Sequence, residues 1–178
     1  MISVRTATLD DSERIADIHV KTWQAAYAGV MPKHFLEGLD VVARQAMWRR
    51  AIEGRTPPGG IFLAEVGGEV VGFTAVGRYR EPSGGADPAV GEVFAIYVAA
   101  EHWSTRAGHA LMRAAVDHLA EQGVPEIRLW VLADNPRARR FYERFGYVAD
   151  GERRVEDIAA DYPDARPVEE LRYTLHVR

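Results

Sequence analysis

The residues from His102 to Met112, HWSTRAGHALM, join a strand-like run (Glu92–Val98, EVFAIYV) to a helical pattern that starts near Thr105. A helix N-terminus presents unbonded backbone N–H groups and the positive end of the helix dipole, so this stretch can hold an anion such as phosphate. Gly108 in the first turn allows backbone and ligand to approach closely. First-turn glycines also serve packing alone, so both readings stay open here. Farther on, ADNPRARRFYERFGY (Ala133–Tyr147) closes a strand on Asn135 and opens a helix with Pro136. Asparagine is a good N-cap, and proline fits the first helical position. Arg137, Arg139, Arg140 and Arg144 read as a solvated face of that helix, with Arg137 or Arg140 available to a phosphate. Trp23 and Tyr27, four residues apart on an earlier helical pattern, share a face that suits a binding wall or core packing equally.

Other chemistries find no support. There is no cysteine, which removes thiol catalysis, disulfides and cysteine-based zinc sites. His19, His34, His102, His109, His118 and His176 show no metal-ligand spacing, and no metal is expected. No Gly-x-Gly-x-x-Gly opens a helix after the first strand, which disfavours a dinucleotide-dependent oxidoreductase. The formal net charge of −4 argues against general nucleic-acid binding. The N-terminus MISVRTATLDD lacks the charged and apolar regions of a signal peptide, and no apolar run approaches the ~20 residues of a membrane span. A cytoplasmic protein without a membrane partner is expected.

These residues need a scaffold, and 178 residues suffice for one α/β domain, read here as spanning 1–178. Ile2–Thr6 alternates like a short strand, and Asp10, Asp11 and Ser12 supply N-cap chemistry for a helix carrying Ile15, Ile18, Trp23, Ala26 and Tyr27. A second helix is expected from about Asp40 to Glu53. Ile61–Val66 and Val70–Val76 read as a hairpin about Gly67-Gly68-Glu69. EPSGGADPAVG (Glu81–Gly91) reads as a loop, Glu92–Val98 as a strand and Thr105–Gln122 as an amphipathic helix. Ile127–Leu132, the helix after Asn135, and strands over about Tyr147–Val155 and Glu169–Val177 complete the chain. Between these last two lies an irregular acidic stretch, EDIAADYPDARP.

At this point the sequence resembles the GCN5-related N-acetyltransferase (GNAT) superfamily over nearly its whole length. The family's later helix carries Asn-x-x-Ala-x-x-Phe-Tyr-x-x-x-Gly-Phe, matched by Asn135, Ala138, Phe141, Tyr142 and Phe145-Gly146-Tyr147. EVFAIYVAAEHW is similar to its fourth strand and the turn beyond, and WQAAYAGVMP to a common branch of the family. The family's acetyl-CoA turn, Gln/Arg-x-x-Gly-x-Gly/Ala, fits less well: Trp103 replaces the Gln/Arg, Arg106 the first Gly, and Gly108 alone is kept. Arg106 either strains the backbone if the site needs φ > 0, at ~1–2 kcal/mol, or keeps right-handed helical geometry and adds a guanidinium to the diphosphate.

The resemblance implies an α/β fold with one mixed, mostly antiparallel sheet flanked by helices, its fourth and fifth strands splayed. It implies acetyl-CoA as co-substrate and a primary amine, of a small molecule, as acceptor; a non-catalytic acyl-CoA sensor and a protein N-terminal or lysine acetyltransferase are the alternatives, and a homodimer stays open. Cofactor contacts are implied at Ile96, Val98, Trp103, Arg106, Ala107, Gly108, His109, Asn135 and Tyr142, with the Val98 N–H polarising the thioester carbonyl. Glu92 falls where related enzymes place a carboxylate acting on the amine through water, and Tyr142 is the implied general acid for the departing thiolate, Phe141 then pointing to the core. Trp23 and Tyr27 would border the acceptor. The acidic stretch Glu156–Asp164 attracts a cationic acceptor or is simply a solvated loop.

Overall fold

The computed structural model describes residues 1–29, 31–81, 84–156 and 167–177. Seven strands form one sheet: β1 (Ile2–Thr6), β2 (Gly60–Val66), β3 (Glu69–Arg80), β4 (Ala86–Val98), β5 (Glu126–Leu132), β6 (Val148–Glu156) and β7 (Val168–His176). Their spatial order is β1-β2-β3-β4-β5-β7-β6, antiparallel throughout except between β4 and β5. Helices α1 (Ser12–Ala26), α2 (Lys33–Glu37) and α3 (Val41–Glu53) follow β1; α4 (Ala107–Glu121) links β4 to β5, and α5 (Pro136–Phe145) links β5 to β6. This is the mixed, mostly antiparallel sheet flanked by helices that the sequence implies. Among the described residues no helix is long and apolar enough to cross a membrane.

Local chemistry accounts for most of the element boundaries. Gly67 and Gly68, at φ +62° and +86°, supply the two positive dihedrals that a tight hairpin between β2 and β3 requires. Asp40 caps α3 by accepting the Val42 N–H at 2.8 Å. At the start of α1 the capping falls one turn earlier than expected, on a 3-10 turn over Leu9–Asp11. There the Asp11 carboxylate accepts the Thr8 N–H at 2.7 Å and the Arg5 guanidinium at 2.8 Å. Its hydrogen bonding to Arg5, above all, lowers its pKa to about 2.

Helices cover both faces of the sheet. Ile15 and Ile18 of α1 and Trp48 and Ile52 of α3 pack on Leu63, Phe73 and Ala95. Ala107 and Leu111 of α4 pack on Ala64 and Val71. Since Leu63 and Ala64 are neighbours on β2, these two groups of helices lie on opposite sides. Farther along α4, Met112, Ala115 and Leu119 join Val93, Ile127 and Leu129 in the largest cluster, which α5 enters with Tyr142.

Two readings of the sequence are corrected. The stretch Glu81–Gly91 is not all loop: β3 continues to Arg80 and β4 already begins at Ala86. Register shifts between β3 and β4 at Arg78/Tyr79 absorb the proline and glycine that argued against a strand. Gly91 itself answers a tertiary demand, because a Cβ there would stand 3.0 Å from Leu119 and 3.1 Å from Val124. The short α2 was not anticipated either; its Leu36 docks with Met31 beside Trp23 and Tyr27. The expected acidic region lies, over 157–166, outside the described residues.

Candidate active site

β4 and β5 pair only at Val90–Glu92 with Glu126–Arg128 and then diverge. A register shift opposite Ala75/Val76 makes the divergence possible. Val93 packs toward α4, yet Ala95, two residues on, packs toward α1, so the strand's alternation slips by one at Phe94. Beyond the slip the Ala99 N–H binds the Val71 carbonyl of β3 at 2.9 Å. By alternation the backbone groups of Val98 and Ile96 point away from β3, into the gap. The implied splay is present. One of these groups is already engaged: the Trp103 indole N–H donates to the Val98 carbonyl at 2.7 Å.

The gap is a cavity of about 850 Å³. It brings together Trp23 of α1 and Tyr27 just after it, Glu92, Ile96 and Val98 from β4, Trp103, Arg106, Gly108 and His109 from the turn and α4, and Asn135, the N-cap of α5, with Tyr142 of α5. Of the residues singled out in the sequence, Ala107 stands apart; its side chain is buried against Ala64, Val71 and Leu111.

At the turn, Arg106 has φ +73° and precedes α4 as its N-cap, and Ser104 has φ +67°. The right-handed alternative for Arg106 is thereby corrected: the turn needs the left-handed conformation that a glycine adopts without strain, and an arginine carries it at about 1–2 kcal/mol. The side chain nevertheless lines the cavity. Gly108 has a different use. A Cβ there would meet Phe141 at 3.6 Å and Val98 at 3.8 Å, ordinary contacts, so protein packing does not demand the glycine. Its bare backbone leaves the N–H groups of the first turn accessible from the cavity. Phe141 lies over this glycine at the cavity edge, half-buried, instead of pointing wholly into the core.

Positive charge gathers at the same end. Arg137, Arg140 and Arg144 line the cavity, whereas Arg139 turns away to the Tyr173 hydroxyl at 3.2 Å. The Arg137 guanidinium stacks on the Trp103 ring at 3.1 Å from its centroid. Burial pushes the Arg137 pKa down, as expected for a cation drawn partly out of water. Asn135 caps α5, accepting the Ala138 N–H at 3.1 Å.

Glu92 is 3% exposed and fully engaged by Arg80. The Arg80 backbone N–H binds it at 3.0 Å and the guanidinium at 2.9 and 3.2 Å. Tyr142 is buried beneath Phe141, and among the described residues its hydroxyl has no hydrogen-bond partner. Burial raises its pKa, which keeps the phenol protonated. The Trp23 indole N–H donates to the Tyr97 hydroxyl at 2.9 Å, and Tyr27 packs edge-on against Trp23 at 5.0 Å.

Several lining residues escaped the sequence reading. Arg80 was hidden because the glycines and prolines just beyond it disguise how far β3 runs. Tyr97 was legible as the side chain opposite Ile96 and Val98 on an alternating strand. The far wall carries Trp130, with Arg154 stacked on it at 4.5 Å and paired to Glu170. Two buried polar atoms on the wall, Thr22 Oγ1 and Trp130 Nε1, have no hydrogen-bond partner among the described residues.

Comparison with known proteins agrees with this geometry. Residues 14–147 match the model of the Acetyltransferase (GNAT) family, and the chain belongs to that family. It is 28% identical over 180 residues to the uncharacterized N-acetyltransferase YuaI of Bacillus subtilis (strain 168), covering 96% of this chain and 98% of that one. It is 35% identical over 130 residues to the mycothiol acetyltransferase of Thermobispora bispora, 72% of this chain but 42% of that longer protein. The PaiA N-acetyltransferase of Thermoplasma acidophilum, solved with coenzyme A, shares the fold at a TM-score of 0.75 and 16% identity, with 99% of both chains covered.

Proposed function

We propose that residues 1–178 act as one catalytic domain that transfers an acetyl group from acetyl-CoA to a primary amine of a small molecule by direct attack on the thioester. The observation that carries this is the continuous path through the cavity. Unpaired β4 backbone leads to the bare first turn of α4, with Arg106, Arg137, Arg140 and Arg144 around it. That sequence of groups suits a chain of amides ending in phosphates. The Ile96 and Val98 backbone would hold the pantetheine amides, and the N–H groups near Arg106–His109 the diphosphate. Coenzyme A in the PaiA structure supports the cofactor, and relatives named mycothiol acetyltransferase support a small-molecule acceptor.

Bound acetyl-CoA supplies an activated acyl group, and the protein handles charge and protons around it. The Val98 N–H polarises the thioester carbonyl as negative charge grows on its oxygen. Tyr142, protonated and without a partner of its own, donates to the departing sulfur. Glu92 receives the ammonium proton through water. Because Arg80 already donates three bonds to this carboxylate, the pair must loosen as the proton arrives, and the largely exposed Arg80 side chain leaves room for that.

The test is release of free coenzyme A thiol from acetyl-CoA with a panel of primary amines, alongside calorimetric binding of acetyl-CoA. Binding with amine-dependent thiol release is expected. A protein that binds no acetyl-CoA at millimolar concentration would overturn the reading.

A further inference from the structure

A second cavity, of about 560 Å³, opens on the α1 and α3 face of the sheet. It shares Trp23, Arg80, Phe94, Ala95 and Tyr97 with the wall of the first, so the two cavities abut along β4, with Glu92 on the wall of the first. The charge of the second has one sign. Arg44 of α3, Arg55 just beyond α3, and Arg78 and Arg80 of β3 line it, and no aspartate or glutamate does. Arg80 is committed to Glu92. Among the described residues the other three have no carboxylate partner. Arg44 donates to the Met47 sulfur at 3.7 Å, and Arg55 to the Ala7 carbonyl at 3.2 Å.

The rest of the wall is aromatic and offers these cations little. The Trp48 indole, which can only donate, gives its N–H to His19 Nδ1 at 3.1 Å. His19 therefore carries its proton on Nε2 and is neutral, stacked on Tyr97 at 5.1 Å. Burial first, and the charge of Arg44 second, hold the His19 pKa at about 4, so no compensating anion and no further cation arises there near neutrality. Arg78 pairs with Gly91, which faces α4, and Arg55 stands about three helical turns from Arg44, so neither converges with Arg44 on one anion. Arg44, half-buried at this recess, spends a donor on a weak sulfur acceptor. Such a site is completed by an oxyanion.

We infer that the acceptor is an anionic amine: its carboxylate or phosphate-type oxyanion docks on Arg44, and its carbon chain passes Trp23 and Tyr97. Its amine then reaches Glu92 and the thioester. This rests on the acetyltransferase reading and adds the substrate class. It also orders entry: coenzyme A comes from the α4 and α5 side, the acceptor from the α1 and α3 side.

Primary amines of equal length ending in a carboxylate, a phosphonate, a methyl or a second amine separate the cases. The carboxylate or phosphonate should exceed the methyl compound in kcat/KM by about 10–100-fold, the worth of a charged hydrogen-bonded pair. The diamine should be poorest. Arg44→Met should erase most of that preference through KM, with Arg44→Lys recovering part of it, while acetyl-CoA affinity and Tm stay near wild type. Which of the two anions wins identifies the oxyanion. Calorimetry of the anionic amines on the coenzyme A complex reads the same subsite without turnover. Arg44-dependent anion binding with no thiol release would retain the subsite and reject the enzyme reading. Turnover of neutral or cationic amines as fast as anionic ones, or a preference untouched by Arg44→Met, would overturn the inference and leave acetyl transfer standing.

Discussion

The proposed proton chemistry gives the acid role to Tyr142 and the base role to Glu92, and each can be tested alone. Tyr142→Phe keeps the ring in its cluster and removes a hydroxyl with no hydrogen-bond partner among the described residues, so Tm should change little. If the phenol is the acid, kcat should fall by roughly 10²–10⁴-fold with acetyl-CoA affinity nearly unchanged, since it acts on charge that appears during reaction. Wild-type kcat in a mutant limited by chemistry would reduce Tyr142 to packing. Glu92→Gln should cost most in kcat below the acceptor amine's pKa and progressively less above it, where the free amine needs no base. A deficit constant across pH would mark Glu92 as a partner that only positions Arg80. Glu92 was legible as a carboxylate on a strand, but its ion pair was not. The partner sits 12 residues away across a hairpin whose length the glycines and prolines of 81–91 disguised.

At the scale of elements, the turn before α4 sets local strain against binding. Arg106→Gly removes a left-handed side chain worth about 1–2 kcal/mol but gives the unfolded chain more freedom, so a net gain of about 0.5–1 kcal/mol is expected in urea melts. The same change should weaken acetyl-CoA by about 1.5–3 kcal/mol if the guanidinium meets phosphate. Stability rising as affinity falls is the signature; affinity rising with stability would mean the arginine only strains the turn. Elements with strong periodicity, such as α1, α4 and β5, were readable because each carries an apolar stripe that packs into the core. β4 was readable only after Gly91, for its first half is held in place by β3 and by side chains of α4. No local pattern announces α2, five residues long and defined by Leu36 entering a pocket of aromatics.

At the scale of the whole molecule, acetyl-CoA should raise stability by ~2.7 kcal/mol at a hundred times its Kd. A flat Tm across that range would contradict cofactor binding in the cavity. How that stability is distributed follows from the three-residue contact between β4 and β5. The sheet is two panels, β1 to β4 and β5 with β7 and β6, joined along a short seam and braced across it by α4 through Val93 and Ile127. A ligand lying between the arms works as a strut. Without it the panels can part at lower free energy than full unfolding, and amides of β5 beyond Arg128 should exchange ahead of those in β2 and β3. With it, the difference should shrink. A mutation far from the reacting atoms that loosens the seam would then raise KM for the cofactor while leaving each panel folded.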